Sequence, residues 1–356
     1  MNVITRLYRG ENHFDFVKIS RTTMKVSIAG VIVSILLMIF LQFNLSIDFT
    51  GGVIVTAPNV NGATVEEIRV DLRDVGQGDA RVQVSHDGLD DSQPSTVTVQ
   101  TEAINDPAGQ DALVAAVAEA AGADVNEANL SAVGPTFGDE VTRAAIKALV
   151  VFLIAVAFFI TWRFEWKMAV AALAALFHDL IITGGLYALI GFVVTPATVI
   201  AVLTILGYSL YDTVVVYERV KENERRLHTQ TTFSAIVNLS MNQVLMRSIN
   251  TSFTSLIPVG SLLLVGVLAI GGETLKEFAL ALFIGIGVGT YSSIFIAPPI
   301  LARWKESEPE WERQRRRAER GGESAVVTQT DIAESAATSD VPLAVARPPK
   351  QRRKRR

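Results

Sequence analysis

Three groups of polar residues lie inside stretches that are otherwise hydrocarbon. The first is Asp212, in Gly207-Tyr208-Ser209-Leu210-Tyr211-Asp212-Thr213, with Val214, Val215 and Val216 directly after it. Counting back from the charged exit at Arg219, the acid lies about 10 Å inside an apolar helix at 1.5 Å per residue. A carboxylate at that depth is costly unless it is paired, neutral or facing water, so it is a functional candidate by default. Ser209 and Tyr208 one turn back, Tyr211 and Thr213 beside it supply hydroxyls, and Gly207 would allow close helix approach. An acid already outside the membrane is the competing reading, and the three valines argue against it.

The second group is His178-Asp179, flanked by apolar residues 171–177 and 180–182. Helix neighbours point about 100° apart, so the two are not expected to share one contact. Imidazole titrates near neutrality, which suits a proton relay with the acid beside it; plain hydrogen bonding between helices explains the pair equally well. The third is Arg247, opening a segment with Ser248, Asn250, Thr251, Ser252, Thr254 and Ser255. Asn250 with Thr254 and Thr251 with Ser255 have i,i+4 spacing, and such a stripe faces protein or water rather than lipid. Arg247 is either an ordinary anchor at the membrane surface or the counter-charge of Asp212, and it cannot release its own proton. An acid, an imidazole and a fixed cation at membrane depth can move protons.

The remaining composition narrows the choice. The 356 residues include no cysteine, which excludes disulfides and thiolate chemistry. The four histidines show no H-x-x-x-H spacing for a metal, and no G-x-x-x-x-G-K-[ST] phosphate loop is present. No cofactor is expected, with protons as the coupling ion. Apolar residues make up 49% and charged residues 19%, and the mean hydropathy is +0.34, which points to a membrane protein.

The elements that must position these groups follow from the hydrophobic runs. Residues 1–25 are polar and basic, and 26–43 form a first span, too long and without a small-x-small site for a cleaved signal peptide. A soluble insert covers 44–140. Spans follow at about 144–162, 168–190, 196–217, 248–270 and 275–301, within a five-helix bundle over 141–303. In the insert, alternation predicts strands within 46–56, 81–85, 96–101 and 129–133. Helices are predicted over 64–75 and 107–121, the first opening on a Thr64…Glu67 capping box. The order βαββαβ is that of the ferredoxin-like split motif. The expected fold is thus an α-helical membrane protein of six transmembrane helices with an α+β ferredoxin-like domain between spans 1 and 2. Lys and Arg cluster in the flanks at 1–25, at Arg163 and Lys167, and at 219–226, which places both termini in the cytoplasm and the insert outside. The tail, 304–356, is expected to be a disordered basic cytoplasmic segment, solvated or touching anionic lipid or RNA. Gly285 and Gly289 form a G-x-x-x-G for helix packing, as Gly184-Gly185 would.

These motifs together resemble the SecF family of protein translocase membrane subunits, in the SecD/SecF group of the resistance-nodulation-division superfamily. The match rests on Ile47-Asp48-Phe49-Thr50-Gly51-Gly52, on Val133-Gly134-Pro135 with Gly138-Asp139-Glu140, and on His178-Asp179. It is completed by Gly207-Tyr208-Ser209-Leu210-x-Asp212-Thr213, residues 219–223 and Arg247, and covers about 15–304. The resemblance implies a non-enzymatic subunit of the bacterial cytoplasmic membrane, pairing with a SecD-like subunit and using the proton motive force to assist protein export. The wider partners it implies are the SecYEG channel, SecA, an emerging polypeptide client and a YajC-type or YidC-type membrane protein, with no specific nucleic acid. It places Asp212 and Arg247 in the proton pathway. Tyr211 departs from the family, which usually has Asn there. Rival readings are a proton-driven exporter of lipids or small molecules from the same superfamily, a passive assembly factor, and an aspartyl protease built on Asp179 and the Tyr211-Asp212 pair.

Overall fold

The structure is a computed structural model that describes residues 14–86, 95–104, 106–227, 231–265 and 273–321. Six helices are long and apolar enough to cross a membrane: Phe16–Leu41, Pro135–Arg163, Trp166–Ile190, Pro196–Leu227, Phe233–Val265 and Leu275–Glu306. The last is broken at Ile296, ahead of Pro298-Pro299, because proline cannot donate to the helical ladder and crowds the preceding turn. In chain order the membrane helices are α1 (Phe16–Leu41), α5 (Pro135–Arg163), α6 (Trp166–Ile190), α7 (Pro196–Leu227), α8 (Phe233–Val265), α9 (Glu273–Phe295) and α10 (Ala297–Glu306). α1 and α5 turn Ile32, Phe40, Ile154, Phe158 and Trp162 outward, an apolar surface that is ordinary where the solvent is lipid.

Small residues set the packing. α6 buries Ala169, Ala171, Ala172 and Ala175. A Cβ at Gly185 would run into Ser34 of α1, and one at Gly285 or Gly289 of α9 would run into Ile205 or Ser209 of α7. Without a hydrophobic effect between helices in lipid, such close approach is what holds a bundle together. Gly207 is different from the expectation: a Cβ there meets nothing within 4 Å, so it brings no helix closer.

Between α1 and α5 lies an α+β unit. After the short strand β1 (Asn44–Leu45) and a single turn, α2 (Ile47–Thr50), come β2 (Gly52–Asn59), α3 (Val65–Asp74), β3 (Arg81–His86), β4 (Ser95–Thr101), α4 (Pro107–Ala121) and β5 (Asn129–Val133). The four long strands form one antiparallel sheet in the order β3-β4-β2-β5. Alternate residues Val53, Val55, Ala57, Val97 and Val99 face Ile68, Leu72, Leu113 and Val117 of the two helices, the period-2 burial of a half-covered sheet. The Thr64 capping box forms, with Thr64 N–H donating to Glu67 at 2.8 Å and Glu67 N–H to Thr64 Oγ1 at 3.4 Å.

The unit leaves and rejoins the bundle at one interlocked point. Gly51 (φ +71°) and Gly52 (φ +137°) need backbone regions that side chains disfavour. A Cβ on Gly51 would sit 2.8 Å from Pro135 Cα, and one on Gly138 would sit 2.7 Å from the Phe49 carbonyl. Gly51-Gly52 and Gly134-Pro135 are therefore two halves of one crossing. Asp48 caps locally, its carboxylate accepting from Ser46 Oγ at 3.0 Å. A second join is β1, which pairs in parallel with β6 (Val193–Val194) in the connection between α6 and α7.

Several helices run past the apolar windows that announced them. α1 starts at Phe16 rather than 26, and α5 starts at Pro135. α7 continues to Leu227, and α8 starts at Phe233 rather than 248. The additions run from about two and a half to about four turns; in α8 they are buried, and Phe233, Ile236, Val237 and Met241 belong to the main core. A hydropathy window reports only the part that lipid must solvate, so it stops short of them. The segment expected to be disordered from 304 is helical over 304–306 and over Pro309–Gly321. α11 (Pro309–Gly321) folds back with Trp311 2% exposed, its ring meeting Phe233 edge-on at 5.1 Å. Lys305 bridges Glu165 at 2.9 Å and Glu224 at 2.6 Å. Residues 1–13 and the basic end beyond 321 lie outside the described residues.

Candidate functional site

Asp179, on α6, is 1% exposed. Its Oδ2 accepts hydrogen bonds from Ser209 Oγ of α7 at 2.6 Å and from Ser292 Oγ of α9 at 2.7 Å. His178 Nδ1 lies 3.1 Å from Asp179 Oδ1. The two neighbours thus meet each other, against the expectation from their 100° offset, because the imidazole reaches sideways along the helix surface. The His178 ring stands 6.1 Å from that of Tyr291, whose hydroxyl lies 2.9 Å from Ser27 Oγ and donates to the Thr23 carbonyl at 3.3 Å on α1. One carboxylate therefore gathers α6, α7 and α9, and its histidine extends the cluster to α1. The close approach that lets Ser209 reach it depends on Gly289, where a Cβ would lie 2.9 Å from Ser209 Cβ.

Asp212, one turn along α7 from Ser209, is 2% exposed and yet differently placed. Its Oδ2 is buried with no hydrogen-bond partner. Ser248 Oγ on α8 faces the carboxylate without closing a bond of normal geometry and is itself unpartnered. The expected ion pair with Arg247 is not formed among the described residues. Arg247 Nη2 instead donates to Tyr211 Oη at 2.7 Å, and the guanidinium stands 5.8 Å from the centre of that ring. A planar cation stacks on an aromatic face as readily as it pairs with an acid. Tyr208 Oη is buried without a partner as well. Thr213 donates to the Ser209 carbonyl at 3.1 Å and is spent on its own helix.

The stripe on α8 resolves into two faces. Ser252 Oγ lies 2.8 Å from Thr290 Oγ1 of α9. Thr251 bonds to the Arg247 carbonyl, and Thr254 donates to the Asn250 carbonyl at 2.9 Å. The i,i+4 side-chain pairs give way to these backbone bonds, which satisfy hydroxyls locally. Met246, Arg247, Asn250, Thr251 and Thr254 line an open groove of about 500 Å³ on the outside of the bundle.

Ser292 was not among the residues singled out from sequence, although a Ser292-Ser293 pair in an apolar span was a readable signal. Nor were Asn238 and Asn242, near the start of α8. Asn242 accepts from Phe14 N–H at 3.0 Å and donates to the Phe14 carbonyl at 2.9 Å. Asn238 accepts from Val17 N–H at 3.0 Å and donates to Asp15 at 2.8 Å. Asp179 and Asp212 have no hydrogen-bond partner in common among the described residues.

Residues 113–307 match the family model described as protein export membrane protein SecD/SecF, C-terminal, and residues 36–58 match the SecD/SecF GG motif. The chain is 40% identical over 315 residues to the protein translocase subunit SecF of Streptomyces coelicolor, covering 88% of this chain and 82% of that one. It is 41% identical over 312 residues to the SecF subunit of Mycobacterium tuberculosis H37Rv, covering 85% and 70%. The crystal structure of SecDF, a translocon-associated membrane protein from Thermus thermophilus, superposes with a TM-score of 0.73 at 32% identity, covering 83% of this chain and 39% of that one. Glycines that interlock where the insert meets the bundle, acids buried on successive helices and these matches agree: the chain belongs to the SecD/SecF family of protein export membrane proteins.

Proposed function

We propose that the chain works as a SecF-type accessory subunit of the Sec translocase and that it draws on the proton motive force through Asp212. The observation that carries the proposal is a carboxylate whose buried Oδ2 has no hydrogen-bond partner, on a membrane helix, beside a cation that is engaged elsewhere. An acid so placed pays the full cost of burial when charged and little when neutral. It therefore has reason to exchange protons with whichever side reaches it. Each charge crossing 100 mV supplies about 2.3 kcal/mol. Protonation of Asp212 would remove its pull on Arg247 and bias how α7 and α8 pack, a local charge change acting on a two-state element.

In this reading Asp179 gathers the helices, and His178 holds its carboxylate in orientation. The insert is ferredoxin-like: its antiparallel order β5-β2-β4-β3 and the βαββαβ sequence support that description. The basic flanks support both termini in the cytoplasm and the insert outside. A SecD-like subunit would cover the groove beside Arg247, and SecYEG, SecA, a YajC-type or YidC-type protein and the client would act at the level of the complex. The test is export of a secreted reporter at equal membrane levels of wild type, Asp212→Asn and Arg247→Met. Both substitutions should reduce gradient-dependent export tenfold or more. Normal export by Asp212→Asn would remove the proton site from this chain.

A further inference from the structure

We propose that Glu277 is a positioning residue that couples the membrane acids to the outside unit, through α9 and the β1–β6 junction. The proposal rests on the proton-driven reading above and names the route by which its motion leaves the membrane.

The route is continuous in hydrogen bonds. At one end of α9, Ser292 donates to Asp179 at 2.7 Å. Fifteen residues earlier, about 22 Å along the helix axis, Glu277 is 5% exposed. Its side-chain Oε1 accepts from Val193 N–H at 3.2 Å, and its backbone carbonyl accepts from Tyr187 Oη at 3.3 Å. Between these ends Gly285 and Gly289 press α9 against α7, so the helix cannot shift without α7 taking part. Val193 belongs to β6 and stands in register with Asn44 of β1. Ser46 N–H donates to the Val194 carbonyl at 3.0 Å and extends that pairing. Asn44 Oδ1 accepts from the Arg81 guanidinium, and the Leu45 carbonyl accepts from Gln100 Nε2 at 3.3 Å. Arg81 and Gln100 are themselves cross-strand partners in β3 and β4. A displacement of α9 is thereby passed to two strands of the outside sheet.

Burying a carboxylate costs free energy unless hydrogen bonds offset it, and the bond to Val193 N–H ties that buried group to the loop. Its use here fits a joint that must stay closed under load, since breaking the bond would leave a buried carboxyl oxygen and a backbone N–H unpaired. The covalent connections at Gly51-Gly52 and Gly134-Pro135 meet at a single crossing and would act as a pivot. The β1–β6 junction is the second point of attachment that turns the pivot into a lever.

The absence of cysteine allows clean labelling. Spin labels at Asp111→Cys on α4 and Ser261→Cys on α8 would report the distance between the outside unit and the bundle. The measurement uses the full chain assembled with its SecD-type partner in vesicles, with and without a proton gradient, beside gradient-driven proton uptake and reporter export. In the otherwise unsubstituted chain the distance should shift with the gradient. Glu277→Leu should abolish that shift and reduce export about tenfold while proton uptake persists. Glu277→Gln, which keeps an acceptor, should restore the shift and export. Arg81→Ala with Gln100→Ala cuts the same route outside the membrane and should uncouple in the same way. It decides the matter if Glu277→Leu does not assemble. A full gradient-dependent shift in Glu277→Leu, or in the double variant, would overturn the coupling route and leave the proton reading intact. No shift and no proton uptake in the unsubstituted chain would overturn the proton reading, and this route with it.

Discussion

Asp179 and Asp212 stand on successive membrane helices, and each is almost wholly buried. Asp179 collects two serine hydroxyls and an imidazole from its surroundings, whereas Asp212 has a carboxylate oxygen with nothing to accept from. Burial alone does not separate structural acids from working ones. What separates them is whether the neighbours have been chosen to keep the charge. A satisfied acid holds helices in place and loses much if removed. An unsatisfied one destabilises the fold that carries it, and persists only where something is gained by its changing state.

The contrast predicts opposite outcomes for the two acids. Asp179→Ala should leave Ser209 and Ser292 without their acceptor and cost about 3 kcal/mol, seen as a lower thermal midpoint in detergent and poorer assembly. An unchanged midpoint would make Asp179 as idle structurally as Asp212. Asp212→Asn should lose export about tenfold or more, yet its thermal midpoint should equal or exceed that of wild type, because no bond is lost. A fall as large as that of Asp179→Ala would erase the distinction. Tyr211→Phe removes the 2.7 Å bond to Arg247 and leaves the ring contact, costing about 1 kcal/mol. It frees the guanidinium to approach Asp212, so gradient-dependent export should shift in its pH profile with little change in stability; an identical profile would detach Tyr211 from the site.

Glu67 supplies an exposed control for the satisfied class. Hydrogen bonds from the Thr64 backbone and hydroxyl hold its carboxyl below its ordinary value of 4.5. A depressed value in the folded state means that the cap is fully present above that ordinary value and is lost as pH falls through the folded one. Hydrogen exchange at the Thr64 amide should therefore lose protection only below about pH 4.5, and Glu67→Gln should flatten that dependence. Loss of protection at neutral pH would assign it to something other than the carboxylate. This effect is the smallest of the four.

Much of this arrangement was readable in the chain, and the parts that were not have a common cause. The six spans follow from hydropathy, and the sheet follows from alternation in Val53–Ala57 and Val97–Val99 with the Thr64 cap marking a helix start. Those signals are local. Ser209 was noted for lying near Asp212, yet it serves Asp179, and its co-donor Ser292 lies 83 residues further on. Arg247 was matched to the acid by charge, but the aromatic ring of Tyr211 competed for it. Gly207 was credited with packing by its type alone, while Gly289 is the glycine whose missing Cβ admits Ser209. The last turns of α7 and α10 and the first turns of α8 escaped because a helix buried in protein need not look like one dissolved in lipid.

The two asparagines of α8 add a consequence in time. Asn242 reads the backbone of Phe14 on both sides, and Asn238 holds Val17 and Asp15, across more than 220 residues of chain. At roughly 5–20 residues per second of synthesis, the first helix enters the membrane some tens of seconds before its clamp has been made. During that interval its first turn lacks the bonds that Asn238 and Asn242 make to it. The arrival of the fifth membrane helix is thus the moment at which the start of the first is clamped, after its middle can already have packed Ser34 against Gly185 of α6.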